Sequence, residues 1–509
     1  MALLAIFPDN RVLVAVTSSF VIYILVRKIR ARKQLPLPPG PNRLPIIGSV
    51  HNIPSEYPWI AFKEMADEQY GDVMYFEALG KPLIILSSAQ AAKDLLDRRS
   101  SNYSTRPQMI MLKLMGFQWS MSTMAYGDMW SKRRKLFNQH FSPAVIHKYQ
   151  DLQLQSTHRM LLSLLINPDH FEEHVRCNFG SSIMKAVYGI DVKSMNDPYI
   201  HTAEQGLTAL AEAAMPGRFW VDVFPWLMYV PSWFPGLEFK NWAAKASVFI
   251  RDTARIPWND TKRAMKQGIA RPCVATSLID DVENGQVEDE VARDVTGIAY
   301  AAGADTTTST LLSFFLAMIH FPDVQRKAQA ELDSVIGCDR LPTFSDLKNL
   351  PYCAAIVKEL TRWMIVAPLS FTHSNDEEDE YKGYRIPKHS MIMVNAWGIL
   401  HDPNMYPNPS AFQPERYLKG GKLNTEDVLD PEDIAFGFGR RICPGRYFSN
   451  AAMFAIVASV LAVFNIESDG PSVPPQQTSS IISHPVHFKC SFKPRSRASE
   501  QLIRSVSNH

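Results

Sequence analysis

The chain has 509 residues, of which 46% are hydrophobic and 20% are charged, a composition typical of a globular protein with a large core. Its 53 Lys and Arg residues against 51 Asp and Glu residues leave a formal net charge of +2. This balance argues against a nucleic-acid binder that relies on an overall basic field and against an acidic disordered chain. Six cysteines without a Cys-x-x-Cys pair argue against a disulfide framework or a zinc ribbon.

The N-terminal segment has the pattern of a membrane anchor. Val12 to Val26 carries no charge, and a basic cluster from Arg27 to Lys33 follows at once. As a helix the run spans about 22 Å, short of the roughly 27 Å of an endoplasmic-reticulum bilayer, and snorkelling of Arg11 and Arg27 covers the deficit. Because the charge follows the apolar run, the positive-inside rule predicts an anchor over 1–34 and a cytoplasmic body. A core helix of similar length is the alternative.

A proline-rich segment follows the predicted anchor. Leu35 to Pro41 contains four prolines in seven residues, which predicts a stiff spacer, and we assign the hinge to residues 35–45. The rest of the chain contains no internal repeat and no long low-complexity linker.

The body mixes helical periodicity with short β-rich segments, so the predicted fold class is mainly α with small β-sheets. The clearest elements are a helix over Trp59 to Gln69, paired strands over Val73 to Leu86 around Gly80, a long helix over Glu290 to Phe321, a helix from Pro322 to Gly337 and a hairpin within Tyr381 to Trp397. The acidic run Asp376 to Glu380 is interpreted as a solvated turn.

Several familiar chemistries are excluded by inspection. The chain has no Gly-x-Gly-x-x-Gly after a strand, no Gly-x4-Gly-Lys, no His-Glu-x-x-His and no Gly-x-Ser-x-Gly. It therefore carries no recognisable NADPH or flavin site of its own.

A glycine-rich segment near the C-terminus surrounds one cysteine. It reads Phe436-Gly-Phe-Gly439-Arg-Arg441-Ile-Cys443-Pro-Gly445. Gly439 can take the positive φ that aims backbone N–H groups at a sulfur, Gly445 permits a close approach, and Arg441 supplies a cation suited to a carboxylate. A helical pattern begins at 446, and its positive end favours a thiolate. A buried structural cysteine in a turn is the alternative interpretation.

The spacing Phe-x-x-Gly-x-Arg-x-Cys-x-Gly resembles the haem-binding loop of the cytochrome P-450 family, and the resemblance extends over nearly the whole chain, to about residue 490. It implies that Cys443 is the axial ligand of haem b iron, with dioxygen as co-substrate; a thiolate ligand favours O–O cleavage. Because the matching motifs run from Trp130 to Cys443, we expect one large haem domain over 46–495 and a polar tail over 496–509.

Two polar residues interrupt the apolar face of the long helix, in Ala302-Gly-Ala-Asp305-Thr306-Thr307. Threonine hydroxyls in a helix can bond back to the i−4 carbonyl and locally open the ladder. The resemblance implies that Asp305 and Thr306 are the acid–alcohol pair that delivers protons during oxygen activation. A helix with a few polar core residues is the alternative.

Three further motifs match the family. Glu359 and Arg362 lie at i and i+3, where they can pair, and the resemblance adds Arg416 to form a structural triad that supports the haem loop. Trp130 and Arg134, at i and i+4, are implied donors to a haem propionate. His373 is a weaker candidate for the same role.

Electrons must come from a partner, because no donor domain is recognisable. The resemblance implies a separate NADPH-dependent flavoprotein reductase, with cytochrome b5 as a further partner, at the endoplasmic-reticulum membrane. Cationic residues flank the predicted proximal side and either steer an acidic partner or form an ordinary solvated face; these are Lys132, Arg133, Lys135, Arg440 and Arg446.

The substrate pocket is predicted to be apolar and rich in methionine, which adapts to irregular ligands. Its candidates, each of which also fits a core position, are Met111, Met115, Phe117, Phe219, Ala302, Leu369 and Ile482. The chain resembles fungal members that oxidise secondary metabolites. A terpenoid is the favoured substrate for a monooxygenase, with aromatic polyketides and indoles as alternatives. A thiolate-haem isomerase or dehydratase and a non-catalytic haem sensor are the competing functions.

Overall fold

The computed structural model describes residues 34–192, 194, 197–215, 217–471 and 474–506, together with residue 18. The predicted anchor over 1–34 therefore lies outside the described residues, except at residues 18 and 34. Among the described residues, one helix, Arg446–Val463, has the length and hydropathy of a membrane span, and 67% of it is buried inside the protein. That burial is typical of a core helix.

The proline-rich segment runs along the body. The amide of Arg385 donates to the carbonyl of Pro36, and the amide of Tyr75 donates to the carbonyl of Pro39, both at 2.8 Å. Gly40 permits this close approach, because a Cβ there would lie 1.9 Å from the carbonyl oxygen of Tyr75. The segment is thus fastened to two strands.

Helices dominate the described residues, and their bounds are as follows. They are α1 (Pro58–Met65), α2 (Ala89–Ala92), α3 (Ser100–Tyr103), α4 (Ile110–Leu114), α5 (Asp128–Phe141), α6 (Gln150–Ile166), α7 (Phe171–Tyr188), α8 (Pro198–Ala213), α9 (Trp220–Val223), α10 (Glu238–Lys266), α11 (Val274–Glu283), α12 (Asp289–His320), α13 (Pro322–Val335), α14 (Pro351–Trp363), α15 (Ala396–Leu400), α16 (Glu432–Ala435), α17 (Arg446–Val463) and α18 (Arg497–Val506).

The predicted helices are confirmed. The segment Trp59 to Gln69 forms α1 and a following π-turn, and the longest pattern forms α12 within one residue of its predicted ends. Pro322 begins α13, as expected of a residue whose missing N–H would have no helical partner at that position.

The strands are short and form small sheets. They are β1 (Val73–Ala78), β2 (Lys81–Leu86), β3 (His373–Ser374), β4 (Asp379–Tyr381), β5 (Tyr384–Ile386), β6 (Met391–Val394), β7 (Leu418–Lys419), β8 (Lys422–Leu423), β9 (Phe464–Ser468) and β10 (Cys490–Pro494). The largest sheet has the order β1-β2-β6-β3, and β4-β5, β7-β8 and β9-β10 form two-stranded sheets. The predicted pairing around Gly80 is confirmed by the antiparallel register of β1 and β2.

The hairpin predicted within Tyr381 to Trp397 is only partly correct. Strands β4 and β5 form it, but β6 leaves it and pairs in parallel with β2, with Leu83 opposite Met391 and Leu86 opposite Val394. The reason is burial: Ile392 and Val394 join the core beside Leu86 instead of extending an exposed ribbon. The interpretation of Asp376 to Glu380 as a solvated turn is wrong for Asp379, which lies in β4 and accepts hydrogen bonds from Arg99 and Tyr103 at 2.9 Å.

Two helices organise the interior. Helix α12 packs against α5, α7, α10, α11 and α17, and α17 packs against α6, α13 and α14. Most of α12 is buried, and Thr307 of α12 meets Ser449 of α17 at 3.4 Å between their hydroxyl oxygens. The segment that leads into α17 therefore lies beside the helices that carry the other predicted site residues.

Candidate active site

The loop from Phe436 to Gly445 is closed by its own backbone. The amide of Cys443 donates to the carbonyl of Phe436 at 2.7 Å, and Gly437 and Gly439 have φ values of 79° and 53°. A Cβ on Gly439 would lie 2.2 Å from the carbonyl oxygen of Leu96. Glycine is therefore required at 439 both for its dihedral angles and for space.

Cys443 lies just before α17, whose N-cap is Gly445. Burial raises the pKa of the Cys443 thiol, although the backbone N–H groups of Gly445 and Arg446 and the guanidiniums of Arg134 and Arg446 act in the opposite direction. The helix end thus favours a thiolate, as expected from the sequence, but it does not overcome burial. A bound metal ion would supply the missing stabilisation, since a coordinating thiol is deprotonated.

Arg441 is held by backbone carbonyls. It donates to Ser104 at 2.6 Å, to Met121 at 2.9 Å and to Met124 at 2.7 Å, and its guanidinium lies 4.5 Å from the ring centroid of Trp130. Burial and neighbouring arginines lower its pKa to about 9. No described carboxylate pairs with it, so its charge is uncompensated by the described protein.

Two more guanidiniums share this environment. Burial lowers the pKa of Arg134 to about 10 and that of Arg106 also to about 10. Arg134 has no hydrogen bond or ion pair with a described residue, and Arg106 donates only to the carbonyls of Ser122, Phe371 and Thr372. Arg106 was not predicted, because nothing local in the sequence distinguishes it.

His373 lies in β3 beside this cluster. It is buried, and its Nδ1 lies 2.8 Å from the carbonyl oxygen of Tyr103, so Nδ1 carries the proton and Nε2 stays free to accept. Burial, together with Arg106 and Arg441, holds its pKa well below the ordinary value. His373 is therefore neutral at pH 7.

These groups fit the haem that the sequence resemblance implies. Arg106, Arg134 and Arg441 form a site for anionic groups, because charge-assisted hydrogen bonds from guanidinium to carboxylate are strong and Arg106 and Arg441 retain unused N–H donors. Two propionates would match this surplus, and Cys443, which interacts electrostatically with Arg134, lies within the same charge cluster.

The other half of the candidate site is the Ala302–Thr307 segment of α12. Thr306 Oγ1 donates to the carbonyl of Ala302 at 2.9 Å, and Thr308 donates to that of Ala304 at 2.7 Å. Ala302 is exposed although the helix is buried on both sides of this segment. An exposed alanine inside a buried helix marks a gap in the packing beside Thr306.

The predicted triad forms a buried network. Both carboxylate oxygens of Glu359 accept from Arg362 at 2.8 Å, and Arg416 reaches Glu359 at 3.2 Å. Lys358, which was not predicted, pairs with Asp430 at 2.8 Å. The network thus ties α14 to the segment from 400 to 417, and Lys358 ties it to the start of the segment that leads into the Cys443 loop.

The prediction that Arg133 belongs to the surface cations is wrong. Arg133 points inward and pairs with Asp294 of α12 at 2.6 Å. Lys135 and Arg440 are exposed, Lys132 pairs with Glu288 at 2.8 Å, and Arg446 is half-buried.

The structure brings together part of the predicted pocket. Met111, Met115 and Phe117 are buried in one cluster, against which Phe219 packs. Leu369 belongs to a different cluster beside Met391 and Met393, and Ile482 is half-buried.

Comparison with known proteins identifies the class. A family model described as Cytochrome P450 matches residues 38–492. The chain belongs to the cytochrome P450 family. It is 43% identical to cytochrome P450 monooxygenase COX2 of Coprinopsis cinerea, over 98% of this chain and 96% of that protein, and 42% identical to COX1 of the same fungus, over 97% and 99%. It is also 36% identical to tryptamine 4-monooxygenase of Psilocybe cyanescens, over 97% and 98%. The chain is thus an oxidoreductase of the monooxygenase type, for which the family implies haem, dioxygen, a small-molecule substrate and a redox partner.

Proposed function

We propose that the protein uses haem b, held through Cys443, and electrons from a separate NADPH-dependent reductase to insert one oxygen atom into a small apolar secondary metabolite, with a terpenoid as the favoured class. The observation that carries the proposal is the cluster of Arg106, Arg134 and Arg441. Desolvation lowers the pKa of all three guanidiniums, none of them has a described carboxylate partner, and Cys443 interacts electrostatically with Arg134.

In this proposal, one residue of the chain would bind the haem iron and a second set would bind the propionates. Cys443 would supply the axial sulfur, and its raised thiol pKa means that coordination displaces a proton. The guanidiniums, with Trp130 and neutral His373, would hold the propionates. When bound, haem supplies the activation of dioxygen, and the protein supplies binding, orientation and protons.

Asp305 and Thr306 would provide those protons. The Thr306 hydroxyl already donates to Ala302, beside the gap that exposed Ala302 marks, and Asp305 is the adjacent half-exposed carboxylate. A positioned acid and alcohol at such a gap can pass protons from solvent to the reacting oxygen. An isomerase or dehydratase has no use for this pair.

A separate electron donor is supported by surface features. The sequence has no recognisable flavin or NADPH motif, and a surface hollow of about 480 Å³ lies on α5, lined by Trp130, Ser131, Arg134, Lys135, Asn138 and Gln139. Exposed Lys135 and Arg440 would steer an acidic flavoprotein, or cytochrome b5, toward this side.

The substrate proposal favours a neutral apolar molecule. Met111, Met115 and Phe117 pack near Phe219, and methionine adapts to irregular apolar ligands. The tryptamine 4-monooxygenase relative makes an indole amine the second candidate. The carboxylate of Asp222 accepts from the amide of Met111 at 2.9 Å, so it fixes the backbone of this group.

Membrane attachment at the endoplasmic reticulum, with the body in the cytoplasm, is also proposed. Beyond the predicted anchor, the hairpin of β1 and β2 contacts two segments that expose apolar residues. The amide of Leu79 donates to the carbonyl of Ile47 at 3.3 Å, and Lys81 donates to the carbonyl of Asp222, so the two segments lie on the same face. Ile46 is 88% exposed, and four aromatic residues are exposed by between 61% and 81%; these are Trp220, Trp226, Tyr229 and Trp233. Exposed apolar patches with aromatic residues are typical of a membrane interface.

The experiment reconstitutes the protein with an NADPH–cytochrome P450 reductase and supplies either the sesquiterpene valencene or tryptamine. An NADPH-dependent product that is heavier by one oxygen atom supports the proposal, and the preferred compound selects between the two substrate classes. Conversion without NADPH would favour the isomerase or dehydratase, and haem binding without turnover of either compound or consumption of NADPH would favour a sensor.

A further inference from the structure

Asp305 faces His484, a contact that the sequence analysis did not predict. Its Oδ1 lies 3.4 Å from Nε2 of His484, which belongs to the loop that precedes β10. The two side chains are 30% and 21% exposed, so the pair is partly shielded from solvent. Thr306 is turned elsewhere, since its hydroxyl donates to Ala302. The acid of the proposed proton pathway is therefore partnered by His484.

The loop holds the backbone of His484 in place. The amide of Ser483 donates to Val366 at 2.8 Å, and its carbonyl accepts from Ser309 of α12 at 2.6 Å. His484 itself exchanges two bonds with Thr478: its amide donates to Oγ1 at 3.0 Å and its carbonyl accepts from the amide at 2.8 Å. A side chain on such a fixed backbone is well suited to orient another group.

Among the residues that the structure describes, the imidazole of His484 contacts one side chain through a ring nitrogen, that of Asp305. Nδ1 of His484 is buried and has no hydrogen-bond partner among the described residues, so Nε2 and Asp305 make the contact that the described structure provides. His487, three residues along the same loop, is 71% exposed and pairs with Glu172 at 2.8 Å. It therefore does not compete for Asp305.

We propose that His484 is a positioning residue that holds the Asp305 carboxylate, through a ring N–H, where it can pass protons toward Thr306. This inference rests on the proposed oxygen-activating function. A half-exposed carboxylate otherwise samples several rotamers, and proton transfer requires one geometry. One fixed donor restricts that sampling without entering the reaction.

The first test measures how electrons are partitioned when the reductase-coupled protein consumes NADPH and oxygen without an organic substrate. Dioxygen takes two electrons and two protons to give hydrogen peroxide, or four of each to give two waters, so poorer proton delivery favours peroxide. We expect His484→Phe to raise the peroxide-to-water ratio about tenfold, below the ~10²–10⁴ that a complete general acid supplies. The reduced–CO spectrum checks that each variant retains its haem environment.

Matched variants separate positioning from general damage. His487→Phe makes the same change on the same loop and should match the wild type. His484→Gln retains an N–H donor, so its peroxide-to-water ratio should lie close to that of the wild type. Asp305→Ala should equal or exceed His484→Phe, and the double variant should be no worse than Asp305→Ala, because His484 acts through that carboxylate. An unchanged ratio in His484→Phe, or effects that multiply in the double variant, would overturn the inference.

The second test does not depend on haem or turnover. Diethyl pyrocarbonate modifies accessible imidazoles, and mass spectrometry of peptides gives the rate at each histidine. We expect His484 to react about threefold faster in Asp305→Ala, because removing the carboxylate uncovers Nε2 and ends a weak, partly exposed polar contact, while His487 is unchanged. Equal rates at His484 would disprove the contact.

The two tests distinguish this inference from the proposed function. A wild-type protein that binds haem without a thiolate spectrum, or consumes no NADPH with reductase, would refute the function, and the modification rates would still decide whether the contact exists. If the wild type is active but His484→Phe leaves the peroxide-to-water ratio unchanged, only the positioning role is refuted.

Discussion

Arg133 and Asp294 form a buried ion pair, 2.6 Å between Nη2 and Oδ2, with 2% and 1% of their side chains exposed. The pair joins α5 to α12. Arg133 and Arg134 are adjacent on α5 but have different roles. Arg134 belongs to the charge cluster that includes Cys443, whereas Arg133 fixes α5 to α12, the helix that carries the Ala302–Thr307 segment. The relative placement of the two halves of the site therefore depends on this pair.

Breaking the pair should destabilise the fold. Asp294→Asn leaves the buried guanidinium with only the exposed carboxylate of Glu290, 3.5 Å away, which costs about 3–5 kcal/mol, and Arg133→Met should cost a similar amount. The double variant Arg133→Met, Asp294→Leu should recover part of the loss. Denaturant unfolding measures these free energies, with Lys132→Met as the exposed control, expected within about 0.5 kcal/mol of the wild type. A loss in Asp294→Asn no larger than in that control would contradict the assignment.

Removing Arg134 should weaken haem binding without lowering the stability of the cofactor-free protein. Arg134 makes no hydrogen bond or ion pair with a described residue, and burial and Arg446 disfavour its charge. Arg134→Met should therefore leave the stability of the cofactor-free protein unchanged or slightly higher. It should weaken haem affinity about 10- to 100-fold, because a hydrogen bond between charged groups is lost. Haem titration measures the affinity, and Lys135→Met, an exposed neighbour, should change neither quantity.

Glycine at 439 should be needed more than glycine at 437. Both have positive φ, so alanine costs about 1–2 kcal/mol at either position. Only at 439 does a Cβ also collide with backbone, 2.2 Å from the oxygen of Leu96, whereas at 437 the nearest atom is 3.9 Å away. Gly439→Ala should lose most of its haem and Gly437→Ala should retain it. Equal haem content per protein in the two variants would contradict this account.

Asp346 should make stability depend on acidic pH. Hydrogen bonds from Arg340, at 2.7 and 2.8 Å, and from Thr343 hold the pKa of Asp346 well below its ordinary value. A depressed carboxyl pKa contributes stability that is present above the unfolded value and is lost as pH falls. Asp346→Asn should thus cost about 1–2 kcal/mol at pH 7, given that Arg340 is half-exposed, and the difference should shrink below about pH 4. A difference that stays constant from pH 7 to pH 3 would exclude this role.

The sequence predicted best what depends on local spacing. Glu359 and Arg362 pair because i and i+3 share a helix face, and Thr306 bonds back to Ala302 because i−4 lies within reach. The loop around Cys443 was predicted because its glycines are required by dihedral angles and close approach. Each of these features is encoded within ten residues.

Contacts between distant segments were missed. Arg106 enters the charge cluster through the carbonyls of Phe371 and Thr372, and His484 meets Asp305 from another loop. Arg133 was assigned to the surface because its buried partner, Asp294, lies far along the chain. Whether a charged residue is buried depends on the partner that tertiary packing places opposite it. The local spacing of residues does not identify a partner that is distant in sequence.

The reduced–CO difference spectrum shows whether Cys443 ligates haem iron as a thiolate. We expect the wild type to give the long-wavelength Soret band characteristic of thiolate ligation and Cys443→Ala to lack it, while Cys338→Ala, at an exposed cysteine, should retain it. A folded wild-type protein that binds haem but gives the shorter-wavelength band, or a Cys443→Ala variant that keeps the thiolate band, would exclude Cys443 as the axial ligand.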